Sequence, residues 1–406
     1  MNFATLLGIY LVIFIDNLGI SLLIPLLTPI AFDTNLGLLT ESPESFRALF
    51  YGLTLGIYGL AMFLGSPFLG ALSDGFGRKK TLLCCLTGLG IGYSCLVLAL
   101  EVKSLSLFIL GRFIGGFCSG SLPVAQAALI DVSPENQRAR FIGYIMFFVS
   151  LGYVLGPILG GYLSDSSLFT SFSLKTPFIF VTVLSFINLL ILMISLPETK
   201  IASINLRTLV STANRRLLES LLVPDIYRHA VFLMLMLLSW NTFFQFVGLF
   251  LSRELSLNPQ DISSFMAWVG LGFAMAFLFL VQFVLRYTSL PMMVGCALGI
   301  MAFSIGGVFL STHIYTLSFL AFLGAVGFGL SYSGLMAQLS LAVGKDRQGA
   351  LMGVAAAIAA LSAGLSGLIF GVLATISVSM PIMTAFCSMC LVALLSIRNL
   401  LKPVPA

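Results

Sequence analysis

Gly70-Ala-Leu-Ser-Asp74-Gly-Phe-Gly77-Arg78-Lys79-Lys80 lies between two apolar runs, about residues 49–72 and 81–100. An α-helix rises about 1.5 Å per residue, so about 20 apolar residues cross the roughly 30 Å of hydrocarbon in a bilayer. Both runs reach that length. The glycines permit a tight reversal between them, and three successive cations hold the turn in water at one membrane face. The stretch reads as a hairpin of two membrane-spanning helices with a basic cytoplasmic turn.

The rest of the chain agrees with that reading. Only 9% of the 406 residues are charged and 59% are hydrophobic, with a mean hydropathy of +1.09; soluble domains carry roughly 25% and 45–50%. A water-soluble surface cannot be made from this composition. Twelve apolar runs emerge, near residues 5–28, 49–72, 81–100, 105–130, 141–163, 176–196, 229–252, 262–285, 291–311, 315–342, 350–373 and 380–398. They are continuously apolar, without the alternation of a lipid-facing strand, so a β-barrel is excluded. The first run lacks a basic start and a small-residue cleavage site, so it is read as a retained span. A polar stretch at 197–228, with Lys200, Arg207, Arg215, Arg216 and Arg228, divides the chain. The expected fold is all-α integral membrane: a six-helix bundle over 1–196, a cytoplasmic linker over 197–228, and a pseudo-symmetric six-helix bundle over 229–406.

Charge placement orients the bundles. Fifteen of the twenty Lys and Arg fall in the loops after even-numbered spans and in the C-terminal tail, and only Arg47, Lys103, Lys175 and Arg253 fall in the opposite loops. By the positive-inside rule both termini face the cytoplasm. The net charge of +5 forms no basic stripe interleaved with aromatics, so no nucleic-acid partner is expected. All seven cysteines fall inside apolar runs, and the two histidines, His229 and His313, stand at span ends; no disulfide framework, metal site or cofactor is implied. No nucleophile and base are spaced for an enzyme. Two charges remain inside spans, Asp16 and Arg112. An ion in hydrocarbon requires a partner or a cavity, and helix rise puts these two at similar depth, so they are expected to pair.

The turn at Gly70, Asp74, Gly77, Arg78 and Lys79 resembles the signature loop of the major facilitator superfamily. That resemblance implies that Asp74 acts as an anion at the start of span 11, near Gly349, and helps latch the cytoplasmic side. Span 5 carries Gly143, Gly152, Gly156, Pro157, Gly160 and Gly161, similar to the motif of proton-coupled exporters in that superfamily; small residues at these spacings also form a close-packing helix face. Arg112, Gly116 and Gly120 resemble the family's span-4 pattern. Asp131, with Arg138 nearby, is expected in a cytoplasmic charge network with Arg78. Ile15 to Pro25, Leu129 to Arg138 and Arg347 to Gly353 resemble bacterial drug:proton antiporters of the tetracycline-efflux type. Two departures stand out: Gly92 lies where those proteins carry an aspartate, and span 9 has no acidic residue. Both positions serve a metal-chelated tetracycline.

Polar stripes suggest a cavity. Asn17 lies beside Asp16 on span 1, and Gln126 aligns with Arg112, Ser119 and Pro123 on span 4. Trp240, Asn241, Phe244 and Gln245 mark span 7, and Ser331, Tyr332 and Gln338 mark span 10. Taken singly, each neutral polar residue is better explained by interhelical packing; their grouping on the four spans that line the superfamily's cavity carries more weight than any one residue and favours cargo contact. The resulting expectation is a proton-driven efflux antiporter for small amphiphiles, acting as a monomer in a bacterial inner membrane, with Asp16 and Arg112 handling the proton. An uptake symporter on the same fold and a non-transporting receptor are the alternatives. The topology is checked with single cysteines: Ser167→Cys should react with an impermeant maleimide on intact cells, and Ser211→Cys only after the membrane is opened.

Overall fold

The computed structural model describes residues 3–34, 37–132, 138–198, 224–341 and 348–400, and every regular element among the described residues is helical. Among the described residues eleven helices are long and apolar enough to cross a membrane, and the last helix contains a further apolar stretch, Met380–Ser396. In chain order the spans are Phe3–Phe32, Glu44–Phe76, Arg78–Glu101, a fourth in two pieces at Leu105–Cys118 and Leu122–Val132, Arg138–Leu163 and Thr176–Ser195. The second set comprises Pro224–Arg253, Pro259–Met275 extended by a π-helical turn to Leu280 and a last α turn to Val284, Leu290–Leu310, Ile314–Leu341, Gln348–Ala374 and Met380–Leu400.

Three departures from the hydropathy reading have local causes. Span 7 begins at Pro224, inside the expected linker; proline suits a first helical turn because its missing N–H would have no partner there. Residues 199–223 of the linker lie outside the described residues. Span 2 extends past its apolar run at both ends, since helical geometry continues beyond the hydrocarbon while hydropathy does not. Span 4 is interrupted at Ser119–Ser121, where Pro123 cannot donate to the Ser119 carbonyl and its ring crowds that oxygen.

Lipid tails are as apolar as leucine, so helices in a membrane associate through close packing rather than hydrophobic transfer, and small residues let their backbones meet. Spans 2 and 11 use this directly. Gly52, Gly56 and Gly59 abut Gly371, Gly367 and Gly364, and a Cβ on Gly59 would stand 2.7 Å from the Gly364 Cα. Spans 5 and 8 meet likewise, with Gly270 against the Val154 backbone and Gly161 against Ser263. These seams join the two bundles.

Polar contacts clasp the same end, the one poor in lysine and arginine. Arg253 pairs with Glu44 and lies 5.1 Å over the Phe32 ring. Arg47 gathers the carbonyls of Phe32, Thr40 and Ser42, and Tyr51 donates to the Gln245 carbonyl at 2.8 Å. Gln260 donates to Asp165 at 2.5 Å across the bundles. Towards the basic end, by contrast, a Cβ on Gly70 or Gly353 would meet nothing within 4 Å.

Asp165 makes this clasp sensitive to acid. The Ser167 hydroxyl and amide, aided by Gln260, hold its carboxyl below the usual carboxylate range. A depressed folded value stabilises above the unfolded value and loses that contribution as pH falls through the folded one. The wild type should therefore lose thermal stability below about pH 4 relative to its neutral-pH value, and Asp165→Asn should flatten that acid limb in melting curves of the purified protein.

Candidate functional site

Asp16 sits halfway along span 1 and is buried. Ser121 donates to its Oδ2 at 2.5 Å and Ser119 to its Oδ1 at 3.4 Å. Residues two apart point to different sides of a continuous α-helix. Both hydroxyls reach one carboxyl because span 4 is broken between its two pieces. The Ser119 hydroxyl also hydrogen-bonds the Tyr58 hydroxyl at 2.5 Å, bringing in span 2.

Arg112 is only 3% exposed, so it does not reach the surface. Nor does it pair with Asp16. Among the described residues the ion pairs are Arg78 with Asp74 and Asp131, Lys175 with Glu101, and Arg253 with Glu44. The expected direct pair is thus corrected to an indirect one. The Arg112 guanidinium lies 4.0 Å from the Tyr58 ring centroid, and its Nε donates to the Thr54 carbonyl at 3.2 Å. Arg112, Gly116 and Gly120 share the face turned to span 2, where Gly116 abuts the Tyr58 backbone and Gly120 abuts Ser66. An arginine on that face finds an aromatic ring and a carbonyl before it finds a carboxyl. Two buried hydroxyls nearby, on Thr54 and Tyr93, have no hydrogen-bond partner among the described residues.

Neither Tyr58 nor Ser121 was selected from sequence. Tyrosine in spans concentrates at the membrane interfaces, so a tyrosine fifteen residues into a 33-residue span was the available signal for Tyr58.

The span-5 glycines face span 1. Gly152 packs on Asn17 and Leu18, Gly156 on Leu18 and Ser21, and Gly160 on Leu22. Ser21 donates to the Gly152 carbonyl at 3.0 Å. Asn17 donates within its own helix, to Ile13, at 2.7 Å. Pro157 lies inside the span-5 helix. Gly143 and Arg138 are in that helix's first turns, and their surroundings lie outside the described residues.

An aromatic cluster occupies the junction between bundles. Trp240 stacks on Phe328 at 5.1 Å, Phe328 stacks on Tyr332 at 5.7 Å, and Tyr153 of span 5 meets Phe244 at 5.7 Å and Phe273 at 5.4 Å. Asn241 donates to Ser362 at 2.9 Å and Gln245 to the Ala363 carbonyl at 3.0 Å, tying span 7 to span 11. The Gln245 side-chain amide oxygen, Oε1, has no partner among the described residues. Ser331 bonds Gly327 and the Met301 sulfur, which directs it to span 9 and away from the cluster. Gln126 and Gln338 are half-buried.

The basic turn is fastened inside the first bundle. Arg78 donates to Asp74 and Ser73 at 2.6 Å each and to Asp131 at 3.2 Å, joining spans 2, 3 and 4. Gly77 has φ of 101°, a conformation that favours glycine. Glu198, at the end of span 6, accepts the Lys79 and Lys80 amides at 3.2 and 3.3 Å and so caps span 3 with a negative charge at its positive end. Lys79 reciprocates with the Met193 carbonyl at 2.7 Å. Asp74 thus has Arg78 as its partner, and the side chains of the first turn of span 11 lie outside the described residues.

Long apolar helices in two clasped bundles, the first holding a buried carboxyl, with an aromatic junction between the two, define a multi-pass membrane protein. The sequence model of the Major Facilitator Superfamily matches residues 9–250, and the chain belongs to that family. It is 33% identical over 193 residues to the class H tetracycline resistance protein of Pasteurella multocida, a match spanning 47% of this chain and 44% of that protein. It is 24% identical to the quinolone resistance protein NorA of Staphylococcus aureus over 93% of this chain and 92% of that protein. The solved structure of a D-xylose–proton symporter superposes with a TM-score of 0.79 at 16% identity, covering 99% of this chain and 98% of that one. That likeness concerns the fold.

Gly156→Leu tests the seam between spans 1 and 5. Overfilling it should destabilise the purified protein by about 1–3 kcal/mol, read as a lowered melting midpoint in detergent.

Proposed function

We propose that the chain is a proton-coupled efflux antiporter for small amphiphilic compounds, working by alternating access in a bacterial inner membrane. The observation that carries this reading is the buried Asp16 carboxyl, which can exchange a proton while helices of the first bundle repack around it. Span 1 bears that carboxyl and rests on the span-5 glycines; span 5 in turn meets span 8 at the clasp between bundles. A proton at Asp16 therefore acts on the helix nearest the inter-bundle seam and biases one access state. The aromatic cluster of Trp240, Phe244, Phe328 and Tyr332 offers flat apolar surfaces to cargo, with the Gln245 side-chain amide oxygen as a polar contact. The resistance proteins to which the chain is similar support export as the direction. Lysine and arginine placement puts the basic end, with Arg78 and Asp131, in the cytoplasm; there Gly70, Asp74, Gly77, Arg78, Lys79, Asp131 and Arg138 would form the gate that shuts when the clasped end opens. The protein works as a monomer on this reading.

Inverted membrane vesicles energised to an acidic lumen provide the test. Adding members of a panel of quinolones, tetracyclines and cationic dyes should release protons from wild-type vesicles, and Asp16→Asn should abolish the response. Proton flow in the opposite sense would establish symport, and no compound-dependent flux from a broad panel would sink the reading.

A further inference from the structure

Arg112 is held in place by contacts that are independent of any carboxylate. Its guanidinium lies on the Tyr58 ring, and its Nε is bound to the Thr54 carbonyl one turn earlier on span 2. A cation over an aromatic face is held more strongly in a desolvated site than at an exposed one. The other end of the same tyrosine reaches Ser119, which reaches Asp16. One side chain thus touches the cation with its ring and the carboxyl's hydrogen-bond shell with its hydroxyl. The titratable groups that face Asp16 are Tyr58 of span 2, Tyr93 and Cys85 of span 3, and Cys118 of span 4.

The surroundings provide for a second arrangement. Tyr93 places its hydroxyl against Gly19, three residues past Asp16, where it has no partner, and the Thr54 hydroxyl beside the arginine's present berth has none either. A buried polar group without a partner is costly, so one beside Asp16 and one beside Arg112 mark a cluster whose bonds are incomplete in one arrangement and available in another.

We propose that Tyr58 is the positioning residue of proton coupling: its ring holds the Arg112 cation off Asp16 while the carboxyl carries a proton, and releases the cation to Asp16 once that proton has left. The proton moves between Asp16 and water on the open side, and no other bond is made or broken. The inference rests on Asp16 as the proton site. It goes beyond that reading by giving spans 1 and 4 a third partner that sets when their charges meet. The ring and the hydroxyl have separable duties, the first holding the arginine and the second ordering Ser119.

Infrared spectroscopy of the purified protein in nanodiscs tests this without a transport assay. The absorption of the protonated Asp16 carboxyl is the carbonyl band that Asp16→Asn removes. At one fixed pH on the alkaline side of the wild-type band's titration midpoint, where the band is still measurable, Tyr58→Leu, which deprives Arg112 of its ring, should weaken it about tenfold or more, the effect of a cation arriving within about 4–6 Å of a carboxyl. Tyr58→Phe, which keeps the ring, should retain the band. Tyr58→Met replaces the leucine variant where that one yields no folded protein. A band of wild-type strength in the ringless variants overturns the proposal, as does equal loss in Tyr58→Phe and Tyr58→Leu, or the absence of any Asp16 band in the wild type. Ethidium flux in proteoliposomes separates the two readings: a band that responds to Tyr58 in a protein that moves ethidium without protons would leave the positioning role standing and remove the antiport one.

Discussion

A carboxyl and a guanidinium cannot stand inside hydrocarbon without partners, and the first bundle answers that requirement twice, in different ways. Asp16 is met by two serine hydroxyls that only a broken helix can bring together. Arg112 is met by a ring and a carbonyl from span 2. Much of the local architecture follows from these two solutions. Pro123 breaks span 4 where the serines are needed, and Gly116 and Gly120 bring that span close enough to span 2 for Tyr58 to serve both groups.

The charged residues in the second bundle's helices, among them Asp225, Arg228, Arg253, Asp261 and Arg398, stand near helix ends, and its interior is organised by aromatic stacking and amide bonds instead. Ionic work and apolar contact are thereby segregated between halves related by pseudo-symmetry. Span 5 connects them: its glycine face lies on span 1, and its other side meets span 8 and sends Tyr153 into the aromatic junction. A change in the packing of span 1 has one short route to that junction.

Sequence alone made much of this legible. Span number, order and helical character follow from apolar length, because a bilayer requires about 20 apolar residues and permits little else. The glycines of span 5 were recognisable as a packing face by spacing. What spacing cannot give is the residue opposite. It identified Arg112 and Asp16 as the two buried charges, then paired them, because depth along a helix can be counted while the direction of a face across the bundle cannot. Tyr58 and Ser121 belong to that missing direction. Glu198 does too: it caps span 3 from 119 positions along the chain, and nothing in its neighbourhood announces the turn that it closes.

The glycine seam between spans 2 and 11 has a mechanical consequence. Backbone rests against backbone along three successive contacts, Gly52 with Gly371, Gly56 with Gly367 and Gly59 with Gly364. Dispersion is short-ranged, and a gap of about 0.5–1 Å already forfeits a quarter to a half of it. A fastening of this kind has no soft, partly opened range: it behaves like a press stud, fully engaged or released. A graded push on either bundle is thus met by an abrupt choice between two shapes.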